Sequence, residues 1–254
     1  MKLFRIPLRL FFLVLVVLLG LFMAVLFLRH SMSPGGFSAL ITRFWHSQVC
    51  RAFNIDVRVY GQQPADSMLI VSNHISWFDI SAIGSVISAR YLSKHEVVGW
   101  PVVGWLAKKA GTLFIQRGTK KSSEHSLEKM TTALTQGDHV VLFPEGKTTD
   151  GSVIRKLHAR LFQSAINSRR KIQPVVIHYP HENGVHPKAP FINDITLYES
   201  AIGMLGEPHM SVEIHFLEAV DSDNKSRDEL AKQCESLMQE KLTKIINKSN
   251  KETP

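Results

Sequence analysis

Hydrophobic patterning divides the chain into three parts. Leu10 to Leu28 reads LFFLVLVVLLGLFMAVLFL, 19 residues without a charge. As a helix at about 1.5 Å per residue, that run nearly matches a hydrocarbon core of roughly 30 Å. It has no polar face, which argues against a buried core helix. The sequence after it, LRHSMSPGG, lacks a small-x-small cleavage site. Residues 1–30 therefore read as an uncleaved anchor, spanning or monotopic. Ser33-Pro34-Gly35-Gly36 then breaks the helix.

In the second part, residues 31–54, Phe37, Leu40, Ile41, Phe44, Trp45, Val49 and Phe53 recur at helical spacing. Arg43, His46, Gln48 and Arg51 lie mainly elsewhere. This amphipathic helix has two open placements. It packs on the domain, or it lies in the lipid interface with Trp45 at headgroup depth.

The third part, residues 55–254, is mixed. Strands are expected at 55–60, 68–72, 112–115, 139–143, 172–178 and 211–217. Helices are expected at 80–90, 122–136, 157–168 and 227–247. Strands separated by helices predict an α/β fold, a mostly parallel sheet flanked by helices. The C-terminal helix places Leu230, Cys234, Leu237, Met238, Leu242, Ile245 and Ile246 on one covering stripe.

Composition bounds the function. Of 254 residues, 44% are apolar and 20% charged, enough to bury a core and exclude global disorder. Two cysteines exclude a disulfide framework and a four-cysteine zinc site. The net charge of +8 invites a nucleic-acid reading until its placement is inspected. Lys2, Arg5, Arg9 and Arg29 flank the apolar run with no acid before Asp56, a membrane pattern. The rest of the excess gathers in residues 90–121 and 147–171, whereas residues 191–254 are acidic.

Three segments carry candidate chemistry. His74 and Asp79 are five apart, a spacing that pairs them in neither a helix nor a strand, so only a turn brings them together. Loops at the carboxyl ends of strands supply such turns. A carboxylate on one imidazole nitrogen fixes the tautomer, and the other nitrogen can then take a proton from a hydroxyl. A surface or capping pair is the plainer alternative. Phe143-Pro144-Glu145-Gly146 places Glu145 in a tight turn at a strand end. Phe114-Ile115-Gln116-Arg117 delivers an arginine, whose planar fork suits phosphate, to a loop. Read singly, these two are equally an ordinary turn and a solvated arginine. His178, His181 and His186 fall in a Pro/Asn/Gly-rich stretch without ligand spacing, which reads as a loop. No Gly-x-Ser-x-Gly elbow, P-loop or dinucleotide fingerprint is present.

Taken in order, the His74-to-Asp79, Phe114-to-Arg117 and Phe143-to-Gly146 blocks and Gln173-Pro174-Val175-Val176-Ile177 resemble the glycerolipid acyltransferase family that includes lysophosphatidic acid acyltransferases. Trp100-Pro101-Val102-Val103-Gly104-Trp105 also looks like the family's segment between its first two blocks. The resemblance covers roughly residues 55–220 and makes residues 55–254 an acyltransferase domain. It implies that His74 is the general base held by Asp79. Arg117, Glu145, Gly146 and Lys147 would bind the acceptor's head. The acyl group would pass directly from acyl-CoA or acyl carrier protein to the free hydroxyl of lysophosphatidic acid, giving phosphatidic acid, with no metal or cofactor. Partners would be the lysolipid, the donor and membrane lipids, and no nucleic acid.

One departure bears on the acceptor. Where the family often continues Phe-Pro-Glu-Gly-Thr-Arg, this chain has Lys147-Thr148-Thr149-Asp150-Gly151. Lysine supplies charge without a bidentate fork. Another lysolipid, such as lyso-ornithine lipid, is therefore an alternative acceptor. A non-catalytic membrane-binding protein of the same fold is the alternative of another class. Lys2, Arg5 and Arg9 before the run favour an inside N-terminus, which puts the domain outside if the helix spans. Cytosolic donors require the opposite, so the expected location is a bacterial inner membrane with the domain facing the cytoplasm.

Overall fold

The computed structural model describes residues 2–27, 36–115, 120–182 and 184–252. Two helices come first, α1 (Lys2–Leu26) and α2 (Phe37–Phe53). Then follow β1 (Ile55–Tyr60), β2 (Leu69–Ser72), α3 (Asp79–Val86), β3 (Arg90–Lys94), α4 (Val103–Lys109), β4 (Leu113–Ile115), α5 (Lys120–Thr135) and β5 (Val140–Leu142). The chain continues with α6 (Gln163–Ser168), β6 (Ile172–His178), a small hairpin of β7 (Pro180–His181) and β8 (Gly184–Val185), α7 (Leu197–Gly206), β9 (Met210–Phe216) and α8 (Arg227–Glu252).

Seven strands form one sheet in the order β1-β9-β6-β2-β5-β3-β4. Every neighbouring pair is parallel except β6 and β9. The central strands β2, β5 and β6 are buried along their whole length. Their sequences, LIVS, VVL and IQPVVIH, are nearly unbroken apolar runs because both faces are covered. Edge strand β1 instead alternates, with Ile55 buried and Asp56, Arg58 and Tyr60 exposed. Under one face, Phe53, Phe78, Ile83, Val175, Tyr179 and Ile214 form one core. Under the other, Met130, Leu134, Val176, Cys234, Met238 and Leu242 form a second, covered by α5, α6 and α8.

Helix α1 holds a stretch, Phe4–Leu26, long and apolar enough to cross a membrane by length and composition. It nevertheless contacts the domain along most of its length. Arg5 donates to Gly206 O at 3.1 Å, and Arg9 donates to Leu205 O at 3.0 Å and Pro208 O at 2.9 Å. These carbonyls close α7, where cations complement the helix dipole. Trp45 Nε1 donates to Val16 O at 2.8 Å. Met23 and Ala24 pack with Ile41 and Leu106. The outer stripe of α1, with Phe4, Leu8, Phe11, Leu15, Leu18 and Phe22, is exposed.

Helix α2 packs on the domain along one face and leaves another face exposed. Ile41, Val49 and Phe53 are buried, whereas Phe37, Leu40 and Phe44 are exposed. Trp45 is tied to α1 through its hydrogen bond to Val16 O.

The elements differ from expectation in several places. The helix expected over 80–90 ends at Val86, and Arg90–Lys94 is a strand held between β5 and β4. An ion pair from Arg90 to Asp138 pins its start. The helix expected over 157–168 is a 3₁₀ turn, Ala159–Phe162, followed by α6. Its first residues stay extended because Leu157 N–H is taken by Glu235 of α8 at 2.8 Å. The stretch expected to be a loop around His181 forms the β7–β8 hairpin. Helix α7, unexpected, starts from a capping box in which Thr196 and Glu199 satisfy each other's backbone N–H.

Candidate active site

Strands β6, β2 and β5 are adjacent and parallel, so their carboxyl ends meet at one edge of the sheet. The chain leaves β2 into His74, β5 into Glu145 and β6 into Tyr179. Asn73 locks the first exit. Its Nδ2 donates to Ile177 O at 3.0 Å and its Oδ1 accepts Ile177 N–H at 2.8 Å, extending the β2–β6 ladder with a side chain. Beyond that lock the backbone turns, and α3 starts at Asp79.

That turn brings His74 and Asp79 together. His74 Nδ1 lies 2.8 Å from Asp79 Oδ2. The same oxygen accepts Ile75 N–H at 2.8 Å and Ser76 N–H at 3.0 Å. Asp79 Oδ1 accepts the Tyr179 hydroxyl at 2.7 Å. Asp79 is fully buried, while the His74 side chain keeps 19% of its surface. Because the carboxylate only accepts, Nδ1 carries the hydrogen and Nε2 is the nitrogen able to take a proton. The His74 ring stacks on Phe143, with centroids 4.1 Å apart and planes 17° apart.

Glu145 stands behind His74. Its Oε2 accepts His74 N–H and its Oε1 accepts Arg155 N–H, each at 3.1 Å. Burial raises its pKa above the usual carboxylate range, against those two N–H groups and nearby His74, which lower it. Gly146 has a φ of 74°, a conformation that needs glycine, and so permits the tight turn. Lys147 is exposed at the cavity mouth. Thr149 ties the next loop to the His74 turn, with N–H and Oγ1 both donating to His74 O, at 2.8 and 3.2 Å. Gly151, at φ 78°, passes so close to Ile75 that a Cβ there would lie 2.7 Å from its Cδ1. Arg117 lies outside the described residues.

His74, Glu145, Gly146 and Lys147 line a cavity of about 1470 Å³. Its apolar wall comes from α1, α2, α3 and α4, with Leu13, Trp45, Ile80 and Leu106, and from Trp100 just before α4. On the polar side Lys94, Arg155, Lys156, His158 and Arg160 join Lys147. In the sequence Lys94, Arg155, Lys156 and Arg160 registered only as charge. Arg155 and Lys156 reach that mouth on an extended loop, held by Gln239 of α8, which accepts Ile154 N–H at 2.9 Å. Tyr179 and Phe143 were also missed as neighbours of the pair. No spacing signals them, since both meet His74 or Asp79 across strands. Among the described residues, no group of three or more His, Cys, Asp or Glu is placed to hold a metal.

A family model described as Acyltransferase matches residues 56–178. The lyso-ornithine lipid O-acyltransferase of Pseudomonas aeruginosa is 40% identical over 195 residues, 77% of this chain and 75% of the relative. The 1-acyl-sn-glycerol-3-phosphate acyltransferase of Neisseria meningitidis serogroup B is 30% identical over 176 residues, 68% of this chain and 69% of the relative. The crystal structure of the 1-acyl-sn-glycerophosphate (LPA) acyltransferase PlsC from Thermotoga maritima shares the fold. Its TM-score is 0.59 at 20% identity, covering 96% of this chain and 98% of that one. An acyltransferase relative at such identity and coverage, a matching family model and the fold of a solved acyltransferase agree: the chain belongs to the acyltransferase family.

Proposed function

We propose that this acyltransferase esterifies a lysolipid by direct transfer from an acyl thioester, with lyso-ornithine lipid as acceptor. The observation that carries the reading is the His74–Asp79 pair at 2.8 Å, set at the edge of a cavity with an apolar wall and a basic mouth. His74 Nε2 takes the proton of the acceptor hydroxyl as its oxygen attacks the thioester carbonyl. The carbon–sulfur bond then breaks, and the same proton passes to the departing sulfur. Asp79 stabilises the imidazolium between the two transfers. A thioester is already activated, so positioning and one base suffice. The apolar wall takes acyl chains, and Lys147, Arg155 and His158 face the polar head.

The lyso-ornithine acceptor is supported by the Pseudomonas relative and by Lys147 where a phosphate-binding arginine is common. Lysophosphatidic acid is the second reading, supported by the Neisseria relative and by the arginines at the cavity mouth. The exposed stripes of α1 and α2, continued by Trp100, Val102, Val103 and Trp105, support seating on a membrane. A cytosolic thioester donor, acyl-CoA or acyl carrier protein, favours the cytoplasmic side of a bacterial inner membrane. Glu145 serves as a brace for the His74 backbone in this reading.

The deciding experiment is a donor-by-acceptor matrix with purified protein in detergent, reading thioester consumption and ester formation. Turnover is expected with lyso-ornithine lipid, and His74→Ala is expected to lower kcat by about 10²–10⁴-fold. Full activity of His74→Ala would exclude the base role. Turnover on lysophosphatidic acid alone would select the second reading, and no turnover on any lysolipid would favour a non-catalytic membrane protein.

A further inference from the structure

Each oxygen of Asp79 has its own partners. Oδ2 is saturated by His74 Nδ1, Ile75 N–H and Ser76 N–H. Oδ1 accepts the Tyr179 hydroxyl at 2.7 Å. Tyr179 follows β6 directly, and its ring is wholly buried in the core between α2, α3 and the sheet. The phenol thus reaches the carboxylate from a different strand than the one that carries His74.

We propose that Tyr179 is a positioning residue of the acyl transfer, acting on His74 through Asp79. The inference rests on His74 being the base. Two effects follow from the one hydrogen bond. It fixes the carboxylate's rotation, so that Oδ2 stays in line with Nδ1. It also draws negative charge toward Oδ1, which tempers the pull that Asp79 exerts on the proton His74 acquires during the reaction.

The surroundings leave this task to the tyrosine. The ionisable groups around the carboxylate are His74 on its own turn, Glu145 after β5, Tyr179 after β6, and the Cys50 thiol of α2 near the phenol. Burial pushes the Cys50 thiol up to about 12, so it stays neutral. Burial and the adjacent Asp79 likewise hold the Tyr179 phenol well above its ordinary value, so it remains a donor across the working range.

The test is kcat/KM against pH for the wild type, Tyr179→Phe, Asp79→Asn and the double variant, with thermal melting alongside. Tyr179→Phe removes one oxygen and keeps the ring. A hydrogen bond to a charged group gives an expected loss of about 10-fold in kcat. The acid limb of the profile is expected to move to higher pH by about half a unit or more, because the untempered carboxylate holds the imidazolium more tightly. In the Asp79→Asn background, removing the hydroxyl should cost little more, the non-additivity of residues acting as one unit.

A loss of activity with an unmoved limb and full additivity would reduce Tyr179 to a packing residue and overturn the proposal. So would a wild-type profile. Should Tyr179→Phe not fold, 3-fluorotyrosine placed at 179 alone strengthens the donor and must move the limb to lower pH; an unmoved limb then overturns it. Full activity of His74→Ala is the separate result that removes the underlying base reading.

Discussion

Glu145 Oε2 accepts the backbone N–H of His74 at 3.1 Å, while its Oε1 accepts the N–H of Arg155 at the same distance. One buried side chain thereby joins the His74 turn after β2 to the basic loop after β5. Its oxygens are engaged by the protein's own backbone. Glu145→Gln offers one acceptor for two donors and leaves an N–H buried against an NH₂ group. The cost is about 1–3 kcal/mol, so kcat should fall by roughly 10–100-fold. Steady-state kinetics across acceptors checks this. A uniform fall with little change in KM marks a brace, whereas a KM rise confined to one acceptor marks a headgroup contact.

The charged mouth should make the enzyme sensitive to salt. Lys94, Lys147, Arg155 and Lys156 border the cavity. From about 0.01 M to 1 M ionic strength the Debye length shrinks from roughly 30 Å to 3 Å. The value of kcat/KM for an anionic donor should fall several-fold across that range. Arg155→Gln should flatten the dependence while leaving the backbone N–H that Glu145 accepts. A salt-independent rate for both proteins would contradict it.

Arg9 joins α1 to the end of α7 through Leu205, Glu207 and Pro208 carbonyls. Arg9→Ala removes the arginine donor from Leu205 O and Glu207 O, while Pro208 O keeps Asn54 Nδ2, and should cost about 1 kcal/mol. For a domain of this size that corresponds to a melting temperature lower by a few degrees. Hydrogen exchange in detergent should rise over residues 5–16 while the sheet stays protected. Unchanged exchange there would mean that packing through Trp45 alone holds the helix.

His46 should make the protein's stability sensitive to acid. Its ring lies between α2 and α3, with Nδ1 3.4 Å from Ser81 Oγ, close enough that a Cβ on Gly84 would sit 2.5 Å from it. Burial depresses its pKa to about 4 from an ordinary 6.5. A depressed histidine favours the fold while neutral. That stability is fully present above the unfolded value near 6.5 and is lost progressively as pH falls toward about 4. Denaturant unfolding at several pH values should show it, and His46→Leu should flatten the curve in that window.

Much of the sheet was legible because its strands announce themselves. Strand β1 fell on residues 55–60 and β6 on 172–178, as an alternating run and a continuous apolar run respectively. Strand β3 was hidden, because Arg90-Tyr91-Leu92-Ser93-Lys94 is short and follows a helical pattern; pairing with β5 and β4 decides it. Helix α4 was hidden likewise in the Trp100-to-Trp105 stretch, whose Val102 adopts φ 64°, a conformation no propensity favours.

The sequence by itself determined the apolar N-terminal run, the α/β order, the family and the likeness of His74 and Asp79 to a base and its partner. Motif and periodicity are local, and these properties are local. Only the tertiary structure decided who stands around that pair. Tyr179 meets Asp79 across 100 positions of chain and Glu145 meets His74 across 71. It also turned Arg5 and Arg9 from flanking charges into fasteners, 201 and 196 positions from the carbonyls they bind. Such contacts follow from which strands lie side by side and where their ends coincide. That order is set by burying both faces of the central sheet, a property of the whole chain that no single segment records.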